Sequence, residues 1–262
     1  MNNSLQEHRV LVTRPAHQAE YLVHLLERQG KQVIRLPTLA IAAIEDKSTI
    51  QRTLASLDKF QWLVFVSANA VNFAVHANNG KMSEFSAAVA AIGKATAAAL
   101  LQHGLKVDLI PQSPYNSQAL LATEAMQQIG QQKFLIVRGE GGLEELADGL
   151  RDRGAQVEYL DVYRRIVPDI DCSEVNSLLS ENKLDVITAT SGEALQNLFF
   201  MVASENQHRL LARPLIVISE RIRQIAKNIG FKCIAVTGDP SDEAIVEVVI
   251  NITGEIKSGR ID

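Results

Sequence analysis

The chain has 262 residues, of which 47% are apolar and 21% are charged, and its formal net charge is −4 at pH 7. This composition excludes a disordered chain or a coiled coil and predicts one or two globular domains. The charges are mixed in sign without a basic stripe, which excludes a nucleic-acid partner, and no apolar run approaches the roughly 20 residues that span a bilayer, which excludes a membrane protein.

One motif occurs four times along the chain: a β-rich run, a polar turn, a helix with apolar residues at i, i+3, i+4 and i+7, a glycine, and a second β-rich run. The apolar periodicity predicts each helix, and each glycine is expected at the left-handed position that ends it. In chain order the first runs are 10–13, 89–93, 134–137 and 215–218, the glycines are Gly30, Gly104, Gly154 and Gly230, and the second runs are 32–36, 107–110, 156–160 and 233–236.

Two further strand-to-helix segments, 62–71 and 185–194, resemble each other, and the segments 112–114 and 238–240 each lead into a helix with a proline at the same place. The segments therefore form two sets of similar content, which predicts an internal duplication. The first set holds the segment 62–77, the motif whose first run ends at Gly93, the helix after Pro114 and the motif whose first run precedes Arg138. The second set holds the segment 185–200, the motif whose first run precedes Ser219, the helix after Pro240 and the motif whose first run ends at Thr13.

Strands that alternate with helices predict an α/β fold, in which helices cover both faces of parallel sheets. Because one set of segments is split in sequence, we expect two similar lobes, one made of residues 1–38 and 170–262 and the other inserted as residues 45–160. The crossing segments 36–44 and 159–168 are β-prone rather than rich in Gly and Ser, which predicts a two-stranded hinge.

The cysteines and the first nine residues indicate the cellular compartment of the protein. Cys172 and Cys233 lie far apart without metal-ligand spacing, which is typical of free thiols in a reducing cytosol. Residues 1–9 do not combine a basic segment with an apolar one, so we expect no secretory signal and a cytoplasmic protein.

The turns that follow the strands are the candidate site, because ligands of a parallel sheet bind beyond the carboxyl ends of its strands. Small, hydroxyl-rich turns offer free backbone N–H groups at helix N-termini, and these bind carboxylates or phosphates. Alternatively, their Ser, Thr and Asn side chains are only helix N-caps, each worth about 1 kcal/mol. The six turns are 13–15, 67–69, 93–96, 138–140, 188–192 and 219–221.

Familiar nucleotide, metal and hydrolase motifs are not matched. The run that ends in 93–96 is not a P-loop, because Ala88 replaces the first glycine and Ala95 the required Ser or Thr. Glu144 replaces the third glycine of the dinucleotide fingerprint that would begin at Gly139. The six histidines form no metal-ligand pattern, and no serine lies in a G-x-S-x-G elbow. We therefore expect neither a cofactor nor a metal.

Three larger polar side chains are further candidates. Tyr163 lies in the predicted hinge, and a tyrosine keeps its proton at neutral pH, so it could act as a hydrogen-bond donor or weak general acid. Alternatively, its ring only packs between the lobes. Arg14 and Arg138 follow strands in equivalent motifs, where they would either pair with ligand carboxylates or remain surface charges.

Seven short motifs occur along the chain in a particular order and spacing: 11–15, 64–71, 92–93 with Thr96, 137–139, 162–164, Thr188 with 191–192, and 239–241. In this order they resemble the uroporphyrinogen-III synthases, cofactor-free enzymes of tetrapyrrole and haem biosynthesis, over essentially the whole chain. The chain departs from the family pattern at Val66-Ser67, usually Thr-Ser, at 189–192, usually Ser-Pro-Ser-Gly, and at Ser241, usually Thr. A hydroxyl is kept at Ser67, Ser191 and Ser241.

The resemblance implies two flavodoxin-like (HemD-like) lobes and a lyase that needs no cofactor. Its small-molecule substrate is the linear tetrapyrrole hydroxymethylbilane, a polycarboxylate, which is closed to uroporphyrinogen III with inversion of ring D and loss of water. Tyr163 matches the candidate catalytic proton donor of the family, and we expect a monomer. The implied substrate-binding residues are Thr13, Arg14, Ser67, Asn69, Gly93, Thr96, Arg138, Gly139, Thr188, Ser191, Gly192, Ser219 and Ser241.

A function of another class stays open from the residues alone. Hinged α/β proteins also include non-catalytic sensors, and a two-lobed sensor would bind a small anionic ligand with the same turns. Saturable binding of such a ligand without tetrapyrrole chemistry would favour the sensor.

Overall fold

The computed structural model describes residues 8–80, 82, 84–142 and 144–257. The chain divides into two compact units, the first made of Met1–Ala40 with Ile166–Asp262 and the second of Ile41–Arg165. Of the predicted lobes, residues 1–7 and 258–262 lie outside the described residues. Among the described helices, none combines the length and the apolar character needed to cross a membrane.

Strands and helices mostly alternate along the described chain. The strands are β1 (Arg9–Val12), β2 (Gln32–Arg35), β3 (Ala40–Ala43), β4 (Trp62–Phe65), β5 (Ala88–Ala91), β6 (Lys133–Gly139), β7 (Gln156–Ile166), β8 (Val186–Ala189), β9 (Leu215–Val217) and β10 (Ile234–Val236). The α-helices are α1 (Ala16–Arg28), α2 (Ser48–Leu54), α3 (Ala68–Ala77), α4 (Lys94–Gln102), α5 (Ser117–Leu121), α6 (Glu145–Arg151), α7 (Ser173–Ser180), α8 (Gly192–Met201), α9 (Ser204–Ala212), α10 (Glu220–Ile229) and α11 (Asp242–Lys257). Short 3-10 helices span Leu57–Lys59 and Glu124–Met126. Strand β3 follows β2 directly, and the pairs α4–α5 and α8–α9 have no strand between them.

The first unit is built on a sheet with the strand order β10-β9-β8-β1-β2, in which all neighbours are parallel. Side chains alternate across β1, so Val10 and Val12 lie on one face and Leu11 on the other. Helices α1 and α11 pack on the face with Val10 and Val12, and α7 to α10 pack on the face with Leu11. Both faces are thus covered, which confirms the predicted α/β class.

The second unit is built on a sheet with the strand order β3-β7-β6-β4-β5. The pairs of β4 with β5, β4 with β6, and β6 with β7 are parallel. Helices α2 to α4 cover the face that carries Leu63 and Phe65, and α5 and α6 cover the face that carries Val64. The segments 36–44 and 159–168 contribute β3 and β7, which are neighbours in this sheet. Their role as a hinge stays a prediction.

The two sheets share one internal order. The spatial order β5-β4-β6-β7 in the second sheet corresponds to β9-β8-β1-β2 in the first. The two sets of motifs pair these strands in the same way. The helix after Pro114 has five residues, whereas its counterpart after Pro240 has sixteen. Gly30, Gly104, Gly154 and Gly230 all have positive φ, between 68° and 113°, as predicted for residues that end helices.

The predicted strand at 107–110 is the clearest error. This segment makes one isolated bridge to the edge of the second sheet, between Leu109 and Ala90. Its neighbour Asp108 accepts a hydrogen bond from the buried Val89 N–H through its carboxylate, at 2.7 Å. A side chain thus takes a place that a backbone carbonyl would hold in a ladder, and the segment follows the sheet edge without becoming a regular strand.

Replacing Asp108 with Ala should leave the Val89 N–H without its acceptor. We expect Asp108→Ala to lower the free energy of unfolding by about 1–3 kcal/mol, the cost of an unsatisfied buried donor. Asp108→Asn is the matched control, because it keeps an acceptor oxygen while losing the charge, and it should cost less than half as much. Urea unfolding curves measure both, and equal losses would contradict the assignment.

Candidate functional site

Tyr163 is placed by an irregularity in the pairing of β6 with β7. Arg138 pairs with Asp161, but the next residue, Gly139, pairs with Tyr163, so Val162 is an extra residue in β7. Strict alternation would send Val162 and Tyr163 to opposite faces, yet both pack in the same apolar cluster. A β-bulge of this kind re-aims a side chain. Here it turns a side chain that is only 4% exposed toward the cluster and toward α3.

The ring of Tyr163 lies directly over Gly139. A Cβ atom at Gly139 would be 2.9 Å from the tyrosine hydroxyl oxygen and closer still to the ring. Only a glycine therefore fits at this position while the ring keeps its place. Phe73 of α3 also packs against Tyr163, with 5.7 Å between ring centroids and planes 39° apart.

The hydroxyl of Tyr163 meets the N-terminus of α3. Ser67 is the N-cap of this helix, and its Oγ accepts a hydrogen bond from the Ala70 N–H at 3.0 Å. The same Oγ lies 3.3 Å from the Tyr163 hydroxyl oxygen, and either oxygen can be the donor. Ser67 is thus both a helix cap and a partner of the tyrosine.

Arg138 is held by carboxylates of its own unit. Its side chain is 9% exposed, and the guanidinium binds Asp161 through Nε at 3.0 Å and Glu144 through Nη1 at 2.9 Å. The same Nη1 donates to the Gly142 carbonyl at 3.0 Å, and the guanidinium carbon lies 3.6 Å from the ring centroid of Tyr159. These contacts hold Gly142 and Glu144 close to the end of β6. A hydrogen bond from Tyr159, with one from Arg138, lowers the pKa of the Glu144 carboxyl, which keeps this pair charged.

A cavity of about 420 Å³ joins several of these residues within the second unit. Four predicted site residues line it: Ser67, Arg138, Gly139 and Tyr163. Arg165, which was not among the predicted site residues, lines it too. The available signal was strand alternation, because a residue two positions beyond Tyr163 shares its side of β7. Asn116, Ser117 and Gln118 also line the cavity, and no motif singled them out.

Three threonines among the predicted site residues have buried side chains. Thr13 is fully buried and donates from Oγ1 to the Thr188 carbonyl at 2.9 Å, and Thr188, 2% exposed, donates to the Leu11 carbonyl at 3.2 Å. These bonds join β1 to β8. Thr96 is 4% exposed in α4. These side chains belong to the core, and binding of a ligand at these three positions stays a prediction.

The predicted serines of the first unit act as helix caps. Oγ of Ser191 accepts from the Ala194 N–H at 3.0 Å, that of Ser219 from the Ile222 N–H at 3.4 Å, and that of Ser241 from the Ala244 N–H at 3.3 Å. The alternative interpretation of the hydroxyl-rich turns thus describes these side chains. Whether the neighbouring N–H groups bind a ligand stays a prediction.

The other predicted site residues also lie at strand ends. Arg14 forms an ion pair with Asp242 at the start of α11 and donates from Nε to the Thr190 hydroxyl at 3.3 Å. Gly192 is buried at the start of α8, where a Cβ atom would meet the side chain of Ile225 in α10. Gly93 is the N-cap of α4, and Asn69 is partly buried in the first turn of α3.

The described part of the chain contains no cluster of side chains suited to bind a metal ion. No group of three or more His, Cys, Asp and Glu side chains there could hold an ion. The arrangement instead offers hydroxyls, helix N-termini and arginines, which suit an anionic organic ligand.

Comparison with known proteins identifies the relatives of this chain. The family model described as "Uroporphyrinogen-III synthase HemD" matches residues 20–247. The uroporphyrinogen-III synthase of Escherichia coli K12 is 30% identical over 244 residues, covering 92% of this chain and 99% of that protein. That of Chlorobaculum parvum is 31% identical over 202 residues, covering 75% and 80%.

Two solved structures have the same fold. A mutant uroporphyrinogen III synthase of the extremely thermophilic bacterium Thermus thermophilus gives a TM-score of 0.59 at 16% identity, covering 95% of this chain and 99% of that chain. The uroporphyrinogen-III synthetase of Helicobacter pylori 26695 gives 0.58 at 16% identity, covering 94% and 99%. At these identities the likeness concerns the fold alone.

The close contact at Gly139 can be tested with a double-mutant cycle. We expect Gly139→Ala to lower the free energy of unfolding by about 1–3 kcal/mol, because the new methyl group overlaps the Tyr163 ring. In a Tyr163→Leu background, which lacks the overlapping atoms, this cost should disappear, whereas in Tyr163→Phe it should remain. Gly238→Ala is the control, since nothing lies within 4 Å of the added atom. The same cost of Gly139→Ala in all backgrounds would refute the contact.

Proposed function

The chain belongs to the uroporphyrinogen-III synthase family, and on this premise we propose how residues of its second unit contribute to the reaction. It is a lyase of haem biosynthesis that closes hydroxymethylbilane to uroporphyrinogen III, with inversion of ring D and loss of water. The sensor that the residues alone left open is not retained, because an enzyme family matches most of the chain.

We assign to Tyr163 the proton transfer that lets the terminal hydroxyl of the substrate leave as water. One observation carries this assignment: Tyr163 lines the cavity while Gly139, Phe73 and Ser67 fix its ring and hydroxyl. A general acid needs this fixed geometry more than it needs strong acidity. Because the substrate also cyclises without enzyme to the isomer that is not inverted, the acid assists the reaction and the binding site selects the product.

Selection of the inverted isomer requires that both ends of the linear tetrapyrrole be held together, so binding supplies proximity and orientation. We propose that the backbone N–H groups that follow Gly93, Ser191, Ser219 and Ser241 bind substrate carboxylates, while the serine hydroxyls cap the helices. Arg14, which follows β1, stays a proposed contact of a substrate carboxylate. A monomeric state and a cytoplasmic location remain predictions.

Arg138 and Arg165 both line the cavity, and we assign them different roles. Asp161 and Glu144 already balance the charge of Arg138, so we assign it to hold Gly142 and Glu144 close to the end of β6. Arg165 lines the cavity from the same strand as Tyr163, and we assign it to bind a carboxylate of the substrate close to the reacting end.

Replacing Tyr163 with Phe removes the proton donor and keeps the ring. We expect Tyr163→Phe to lower kcat by about 10-fold or more, at the low end of general acid catalysis, with isomer III still the product. Tyr21→Phe is the control, because it removes an exposed hydroxyl bound to Glu243. Purified protein, hydroxymethylbilane and chromatographic separation of isomers I and III provide the measurement. Isomer I alone from the unmutated protein would contradict the function, and unchanged kcat in Tyr163→Phe would remove its role.

Replacing Arg165 with Gln should weaken substrate binding. We expect Arg165→Gln to raise KM by about 10-fold with a smaller change in kcat, because a charge-assisted hydrogen bond contributes about 1.5–3 kcal/mol. Arg164→Gln is the matched control from the adjacent position, where the guanidinium binds the exposed Glu45 at 2.6 Å. Equal changes in KM for the two variants would show a general effect of charge and not a contact.

A further inference from the structure

We propose that Ser67 is a positioning residue for proton transfer from Tyr163: its hydroxyl orients the phenol before the transfer and donates a hydrogen bond to the phenolate that the transfer leaves. This inference deepens the proposed function and rests on it. It gives Ser67 a role different from the substrate contact that the sequence implied.

The hydrogen-bonding capacity of Ser67 supports both parts of this role. A serine hydroxyl has one proton and two acceptor lone pairs. The Ala70 N–H occupies one lone pair as the α3 cap, at 3.0 Å, and this bond fixes the oxygen. One lone pair and the proton then face the Tyr163 oxygen at 3.3 Å. A phenol has one proton, and donating it to Ser67 would keep it from the substrate. The Ser67 hydroxyl therefore donates to the phenol oxygen before the transfer and to the phenolate after it, which leaves the phenol proton available for the leaving hydroxyl.

Proton transfer from Tyr163 to the substrate conserves atoms and charge. The Tyr163 O–H bond breaks, its proton joins the leaving hydroxyl of the substrate, and the carbon–oxygen bond of the substrate breaks to release water. The electron pair of the O–H bond stays on Tyr163 as a phenolate. Ring closure releases a proton from the other end of the tetrapyrrole, and this proton restores the phenol. One water is lost overall, and the enzyme returns to its starting state.

The phenolate needs a donor because of where it forms. The Tyr163 side chain is 4% exposed and packs against Phe73 and the backbone at Gly139. A buried anion without a hydrogen bond is costly, and a hydrogen bond to an ionised acceptor is about twice as strong as a neutral one. Arg138 is not placed to serve, because Asp161 and Glu144 bind its guanidinium. Ser67 is the group within hydrogen-bond distance of the phenol oxygen in the described structure.

Variants at position 67 separate the donor from the helix cap. Ser67→Ala removes both functions. Ser67→Thr keeps both, so it should rescue activity. Ser67→Asp keeps a good N-cap but offers no proton at neutral pH and brings a negative charge to the phenolate. A purely structural Ser67 would let the Asp variant keep its kcat, whereas a donor makes Asp at least as damaging to kcat as Ala. The Asp charge also repels the polycarboxylate substrate, and this separate effect is expected in KM.

Steady-state kinetics with hydroxymethylbilane and thermal melting of each variant test the proposal. We expect Ser67→Ala and Ser67→Asp to lower kcat by about 10-fold, with KM within about 2-fold for Ser67→Ala and raised for Ser67→Asp by charge repulsion. The Asp variant should melt near the unmutated protein, and Ser67→Thr should keep at least about half of kcat. The double variant Ser67→Ala/Tyr163→Phe should have the kcat of Tyr163→Phe, because Ser67 acts through Tyr163.

The outcomes distinguish this inference from the function on which it rests. If Tyr163→Phe keeps the unmutated kcat, the role of Tyr163 fails and the role of Ser67 fails with it. If Tyr163→Phe is slow but Ser67→Ala lowers kcat further by the same factor in both backgrounds, only the role of Ser67 fails. Unchanged kcat in Ser67→Asp also overturns it, since the cap alone would then account for the residue.

Discussion

The close approach of β6 and β7 at Gly139 is the constraint on which the site of the second unit depends. Because Gly139 has no side chain and Val162 is an extra residue in β7, the ring of Tyr163 lies over the β6 backbone and its hydroxyl reaches Ser67. Phe73 also packs against the ring. A regular strand pair with a larger residue at position 139 would leave the phenol without this position.

Arginine is used in the same way at equivalent strand ends of the two units. Arg14 after β1 pairs with Asp242 at the start of α11, and Arg138 at the end of β6 pairs with Asp161 on β7 and with Glu144. In both, a largely buried guanidinium ties the turn after a strand to a neighbouring element. Removing one partner of such a pair leaves a buried charge, so these arginines order the turns.

The hydroxyl-rich turns show how the same local sequence acquires different roles. Ser67, Ser191 and Ser219 all cap a helix in the same manner, each accepting from the N–H three residues ahead. Ser67 differs through its neighbour across the sheet, Tyr163, which lies 96 positions away in sequence. The cap is a local property that a sequence pattern predicts, whereas the partner of its hydroxyl is a tertiary one.

By itself, the sequence determined the α/β class, the order of the duplicated motifs, the helix ends at glycines with positive φ, and the family, because apolar periodicity, turn residues and motif order act locally along the chain. Tertiary structure alone decided three things. Asp108 replaced a backbone carbonyl and ended the predicted strand, Thr13 was buried between β1 and β8, and the bulge at Val162 turned Tyr163 toward Ser67. Each depends on which distant backbone a residue meets, and that choice is made by packing and strand register.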